Sequence, residues 1–194
     1  MQMETDIELM RRVKSGDDSA FTELMKRHYR SIMNYIYRFT NDRNDSEDLA
    51  QEVFLRVYRS VSEYKPQAKF STWLYKIATN VCLTEIKVKG RMNKVSLDEI
   101  QENNQDIGDS NSPSGYDLIN RRNIKDRIFQ ALNSIPERER TSIILCKYEG
   151  LSYDEVADVI GCTVGAVKTY IHRGRMRLID KLKPILEERV DNEL

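Results

Sequence analysis

The sequence predicts an all-α protein made of two small helical domains joined by a flexible acidic linker, the C-terminal domain containing a helix-turn-helix. Three observations carry this expectation. Apolar residues recur at three- and four-residue steps through both ends of the chain, and no segment alternates apolar and polar residues as a half-buried strand does. From Asn93 to Tyr116 that period disappears into Asn, Asp, Ser, Gly, Gln and Glu with Pro113, a composition too polar to build a core. Between Leu151 and Lys183 a glycine separates two short apolar periods, as the turn of a helix-turn-helix requires. The expected boundaries are residues 1–92, 93–117 and 118–194.

Each element has a local cause. Asp6 to Ser15 reads as a first short helix stopped by Gly16, and Ser19 starts a longer one with Phe21, Leu24, Met25, His28, Ile32, Tyr35, Ile36 and Phe39 inward. Asn41 to Asn44 interrupts it. Asp45 or Ser46 caps a third helix to about Val61, with Glu47 and Asp48 in the first turn where the helix dipole favours acids and Leu49, Val53, Phe54 and Val57 inside. Pro66 marks a loop over Tyr64 to Ala68, after which Ser71 or Thr72 caps a fourth helix to about Val88. In the second domain Leu118 to Ser134 turns Ile124, Ile128, Phe129 and Leu132 inward, and Pro136 opens a helix from Glu137 to Tyr148. Ser152 caps the next, whose Val156, Ala157, Val159 and Ile160 share a face. Gly161 permits the left-handed backbone that ends it, and Thr163 caps a last helix with Val164, Val167 and Ile171 inward.

Composition bounds the class. A chain of 194 residues, 32% charged and 40% hydrophobic, is ordinary for a soluble globular protein. Its net charge of zero hides a division, because 93–118 carries one basic and six acidic residues while both ends are mildly basic. Such ends suit a polyanionic partner. No apolar run is long enough to span a bilayer and Met1 to Met10 lacks the features of a signal peptide, so a cytoplasmic protein without membrane insertion is expected. Cys82, Cys146 and Cys162 are far apart and read as reduced, mostly buried thiols. Neither His28 nor His172 has a second ligand at metal-binding spacing, so no metal and no cofactor is expected. Nucleophile, base and orienting group do not occur together and no glycine-rich phosphate loop is present, which argues against an enzyme.

Two constellations carry chemistry. The outward face of the last helix presents Lys168, Thr169, Tyr170, His172, Arg173, Arg175 and Arg177, cations for phosphates mixed with side chains able to read base edges. From Thr163 to Lys183 there are six basic residues against Asp180 alone, whereas Ile135 to Ile160 has three basic and six acidic. The second is aromatic: Tyr64, Phe70, Trp73 and Tyr75 interleave with Lys65, Lys69 and Lys76, a composition suited to stacking unpaired bases. Phe70 and Trp73 equally suit the core of the first domain, because Trp73, Leu74, Ile77 and Val81 fall at helical spacing.

The blocks DSEDLAQEVFLRVYRS (Asp45 to Ser60), KFSTWLYKIATN (Lys69 to Asn80), IPERER (Ile135 to Arg140) and the Leu151 to Lys183 motif resemble, in order, a bacterial extracytoplasmic-function sigma factor. The resemblance covers both ends and leaves out only the connector. It implies core RNA polymerase and promoter DNA as partners, with the duplex −35 element and the single-stranded −10 element as the DNA bound, and an anti-sigma factor as a further partner. Asp48, Leu49, Gln51, Glu52, Phe54 and Arg56 match the helix that docks on the polymerase clamp. Lys69, Phe70, Ser71, Thr72, Trp73, Lys76 and Asn80 match the segment that opens the −10 element and captures a flipped base. Arg140, Thr163, Lys168, Thr169, His172, Arg173, Arg175 and Arg177 match the −35 reader.

Some of these residues also have simpler uses. Asp48 and Glu52 fit helix-dipole compensation, Arg175 and Arg177 fit helix-end charges, and His172 fits plain surface packing. Ala166 and Tyr170 depart from the family, which often has a threonine and a basic residue there. The resemblance also places Asp98, Glu99, Glu102, Asp106 and Asp109 in the polymerase's RNA exit path, against the alternative of a plain soluble tether. A helix-turn-helix regulator acting alone on duplex DNA is the alternative reading of the whole chain.

Overall fold

The computed structural model describes residues 4–65, 69–97 and 126–192. Among them every regular element is helical: α1 (Asp6–Lys14), α2 (Asp18–Thr40), α3 (Arg43–Arg59), a 3-10 turn (Val61–Glu63), α4 (Phe70–Leu97), α5 (residues 126–133), α6 (Glu137–Lys147), α7 (Tyr153–Ile160) and α8 (Val164–Asn192). The all-α expectation is met. The acidic connector expected over 93–117, with Asp98, Glu99, Glu102, Asp106 and Asp109, lies outside the described residues beyond Leu97.

Capping residues set most of the boundaries. Thr5 closes a capping box with Glu8 at the start of α1, and Asp17 accepts hydrogen bonds from the Ser19 and Ala20 amides to start α2, just past Gly16 at φ +93°. Helix α3 begins earlier than the sequence reading placed it. Asp42 is its cap, accepting from the Asp45 amide at 2.9 Å, while Ser46 is buried and bonds Thr40 Oγ1 at 2.8 Å. Helix α4 begins at Phe70, ahead of Ser71 and Thr72, and outruns its expected end at Val88 to reach Leu97.

The first four helices enclose Leu9, Met10, Leu24, Ile32, Tyr35, Ile36, Val53, Val57 and Leu74, all fully buried. Each such side chain contributes about 1.5–3 kcal/mol by leaving water. Tyr35 keeps its hydroxyl satisfied inside this core by bonding Thr79 Oγ1 at 2.7 Å. His28 is half-buried, 2.8 Å from the Asp6 carboxylate and edge-on to Phe70. In the C-terminal half α6 is buried along much of its length, with Ile143, Ile144 and Leu145 packed beneath α7 and α8. Helix α4 lies against α7, so the apolar faces of both halves run together into one cluster.

One expected core position differs, and another, Ile124, lies outside the described residues. Ile128 is exposed, because it borders a shallow groove with the exposed Tyr37 and Tyr148 while Ala131, Leu132 and Ile135 take the inner side. Of the three thiols only Cys82 is fully buried, and burial pushes its pKa up to about 12. Cys146 and Cys162 are half-buried.

Two helices approach closely at Gly174 in α8. A Cβ there would lie 2.7 Å from Ile143 Cδ1 and 3.1 Å from Glu139 Cβ. Alanine favours a helix interior over glycine by about 1 kcal/mol, yet overpacking a close crossing costs about 1–3 kcal/mol and decides the sign. Gly174→Ala is therefore expected to lower the melting temperature. Adding Ile143→Val, which removes the clashing methyl, is expected to recover part of the loss in a thermal-melt double-mutant cycle.

Candidate nucleic-acid interface

The helix-turn-helix is α7, a three-residue turn and α8. Ser152 and Glu155 form a capping box at the start of α7, and Gly161 ends it in the left-handed region at φ +65°. Thr163 Oγ1 then accepts from the Ala166 amide at 3.2 Å and starts α8. Val156, Ala157, Val159, Val167 and Ile171 are buried between the helices.

This packing turns one side of α8 to solvent. Lys168, Thr169, His172, Arg173, Arg175 and Arg177 are all exposed, as is Thr163 in the turn. They differ in freedom. Thr169 bonds its hydroxyl back to the Gly165 carbonyl at 3.0 Å, and the Arg177 guanidinium lies 3.2 Å from the buried Glu139 carboxylate as a charge contact with no well-directed hydrogen bond. Tyr170 is half-buried and accepts from Arg138 at 3.4 Å. That contact ties it to α6 and away from the outer face.

The predicted aromatic cluster exists, and most of it faces inward. Tyr64, Phe70 and Trp73 hold one another with ring centroids 5.3–6.1 Å apart, while Tyr75 pairs with Tyr35 at 5.2 Å. Tyr64, Phe70 and Thr72 are buried, Ser71 and Trp73 half-buried. Lys76 and Asn80 are exposed one turn apart on α4, and Trp73 borders the same stripe. Lys87, exposed two turns further on, extends it; the sequence reading passed it over because it lies beyond the aromatic block.

On α3 Asp48, Gln51 and Arg56 are exposed, Leu49 and Glu52 half-buried, and Glu52 pairs with Arg56 at 2.6 Å. Phe54 is 2% exposed and stacks on Tyr29, so it serves the core. The apolar residue sharing the outer face with Asp48, Gln51 and Glu52 is Leu55, 50% exposed. Its signal was available, since Leu55 falls out of phase with the Leu49, Val53, Val57 stripe.

Two predicted DNA-facing cations meet the other half of the chain. Lys69 Nζ lies 2.9 Å from Glu155 Oε1 of α7. Arg140 of α6 is 4% exposed, with its guanidinium 5.0 Å from the Phe39 ring centroid and bonded to Asn133. Burial lowers its pKa from the ordinary arginine value. Beside them Glu149, its side chain 6% exposed, takes Arg38 Nη1 on one oxygen at 2.9 Å and the Tyr75 hydroxyl on the other at 2.6 Å. Burial raises the Glu149 pKa, opposed by the Tyr75 hydrogen bond and the Arg38 charge.

No helix among the described residues is long and apolar enough to cross a membrane. Residues 24–92 match the family described as Sigma-70 region 2, and residues 125–178 the family described as Sigma-70, region 4. The RNA polymerase sigma-H factor of Pseudomonas aeruginosa is 33% identical over 193 residues, covering 97% of this chain and 99% of the relative. The ECF RNA polymerase sigma-E factors of Haemophilus influenzae and Escherichia coli (strain K12) are 34% and 31% identical, each covering 94% of this chain and 97% and 96% of their own. In fold the chain is similar to CnrH, solved in complex with the cytosolic domain of CnrY (TM-score 0.69, 22% identity, 93% of this chain and 99% of that one). It is also similar to the sigma factor RpoE of Bartonella quintana, solved with the anti-sigma factor NepR (TM-score 0.63, 23% identity, 84% and 96%). A regulator sharing only a helix-turn-helix would align over α7 and α8 alone. Similarity over both ends and nearly the whole length of its relatives places the chain among the extracytoplasmic-function sigma factors of bacterial RNA polymerase.

Proposed function

We propose that the chain performs the sigma factor's work, directing core RNA polymerase to promoters, through three separate faces. The outer face of α3 docks on the polymerase, the Trp73, Lys76 and Asn80 stripe of α4 holds the unpaired −10 strand, and Lys168, His172 and Arg173 on α8 read the −35 duplex. The chain positions polymerase and DNA and catalyses nothing itself, acts in the cytoplasm, and has an anti-sigma factor as a further partner. The observation carrying this reading is the separation of charge by helix. Helix α3 offers acids around an exposed leucine, whereas α8 offers cations around hydrogen-bonding side chains. One face suits a basic and apolar protein surface, the other a phosphate backbone with readable base edges.

The aromatic cluster supports the −10 assignment in a particular form. With Tyr64 and Phe70 buried behind it, Trp73 is a braced edge, and a base leaving the duplex needs such a surface to offset the few kcal/mol lost on unstacking. Lys76 and Asn80 stand beside that edge to neutralise the strand and to bond a base.

Lys168→Ala and Arg173→Ala, tested in holoenzyme on a promoter selected from a randomised pool, are each expected to weaken duplex binding about 10-fold, in the range of one lost base or phosphate contact. Binding to core polymerase should not change; equal loss of both activities would sink the assignment. Conversely, Leu55→Asp and the pair Asp48→Arg with Gln51→Ala are expected to cut core binding about 10-fold or more while leaving the melting temperature within about 2 °C, since the substituted side chains are exposed. An unchanged pull-down with core polymerase would remove α3 as the docking helix.

A further inference from the structure

The two flanks of α8 are not equally charged. Lys168 and Arg175, two turns apart, share one flank, and both are exposed. Tyr170 and Arg177, also two turns apart, share the flank that meets α6, with Arg173 on the outer face between the two. The cation of that second flank is opposed. Arg177 lies 3.2 Å from the Glu139 carboxylate, and Glu139 is 5% exposed, so water and salt screen its negative charge poorly. Ala166, one turn before Tyr170, adds no charge.

A helix lying in the major groove meets phosphates on both sides. The groove is about 12 Å wide and a helix with its side chains about 10–12 Å across, so each flank comes against a strand. On the α6 flank a cation arrives from outside α8. Arg138 is exposed in the first turn of α6, and its Nη1 donates to the Tyr170 hydroxyl at 3.4 Å. That bond is long and engages one of five guanidinium donors, leaving the others for a second acceptor. Among the described residues no carboxylate lies within ion-pair distance of Arg138, and Glu137 acts on it only as a nearby charge. The backbone beneath it is fixed, because α6 and α8 cross closely at Gly174 over the buried Ile143 and Ile144.

We propose that Arg138 is a phosphate-binding residue of the duplex reader, held over the α6 flank of α8 by the Tyr170 hydroxyl, where the charge of Arg177 is opposed by Glu139. The inference rests on the assignment of α8 as the −35 reader. A phosphate contact positions without reading sequence. Arg138 therefore sets how firmly and in what register α8 sits, and the choice of bases stays with Lys168, His172 and Arg173.

The test uses holoenzyme assembled from core polymerase and the full-length chain, titrated at several salt concentrations against a fluorescent duplex of a promoter selected from a randomised pool. Arg138→Ala is expected to weaken binding about 3- to 10-fold and to flatten the dependence of log K on log salt by about one unit, as the loss of one phosphate contact does. Reselection from the pool is expected to return the wild-type bases. Combining Arg138→Ala with Tyr170→Arg, which returns a cation to the same flank from α8, is expected to restore the slope and most of the affinity. A merely structural role for Arg138 is not rescued by moving its charge. Tyr170→Phe, which keeps the charge and removes the hydroxyl, is expected to weaken binding less than Arg138→Ala and to leave the slope near wild type; no effect overturns the steering by Tyr170. Unchanged affinity and slope in Arg138→Ala, while Arg173→Ala still weakens binding, overturn the inference alone. A new base preference in Arg138→Ala overturns the phosphate role. Wild-type binding in both Lys168→Ala and Arg173→Ala overturns the assignment of α8, and this inference with it.

Discussion

Everything at the C-terminal end depends on keeping α7 helical. Eight residues make an unstable helix in water, because nucleation costs more than so few hydrogen bonds return. Three constraints hold it. The Ser152–Glu155 box satisfies its first amides, Gly161 turns the chain without a Cβ penalty, and Val156, Ala157 and Val159 are buried against α4, α6 and α8. The last constraint couples the orientation of α8 to packing, since α8 is held by a helix that draws part of its stability from the other half of the chain.

That coupling shapes the charge. A chain of zero net charge has no long-range field to bring it to a polyanion, so attraction must come from local faces. The cations of α8 form such a face, while acids gather on α6, on α7 and in the loop between them. Two of these acids meet cations of the first half, Glu149 of the loop with Arg38 and Glu155 of α7 with Lys69.

What was legible in the sequence was local. The caps Ser152 and Thr163 and the stop at Gly161 could be read because each bonds or bends backbone within three residues of itself. The basic face of α8 followed from helical periodicity alone. Phe54, matched with Leu49 to the docking helix by resemblance, is buried, and the exposed apolar residue of α3 beside Asp48 and Gln51 is Leu55, which falls out of phase with the inner stripe. Asp42 was missed as a cap because Asp45 and Ser46 offered competing oxygens nearby, and only the backbone shows which amide is reached. Ile128 kept helical phase with Leu132 and still came out exposed, since phase names a face and not what lies against it. Least legible were the contacts between halves. Arg38 and Glu149 are 111 residues apart, and nothing in either neighbourhood announces the other.

Lys69 and Arg140, both matched to DNA by resemblance, have partners within the chain: Arg140 is buried against Phe39, whereas Lys69 stays largely exposed beside Glu155. A guanidinium or ammonium group asks only for an anion of suitable geometry, and a carboxylate, a phosphate or, for Arg140, an aromatic face can answer. Exchanging one such partner for another therefore does not strip the cation bare. Glu149 is a different case, an acid whose side chain is buried at the contact between the halves. Burial disfavours its charge and raises its pKa, the hydrogen bonds from Tyr75 and Arg38 oppose that, and so a small difference between two larger effects decides how firmly this contact is held.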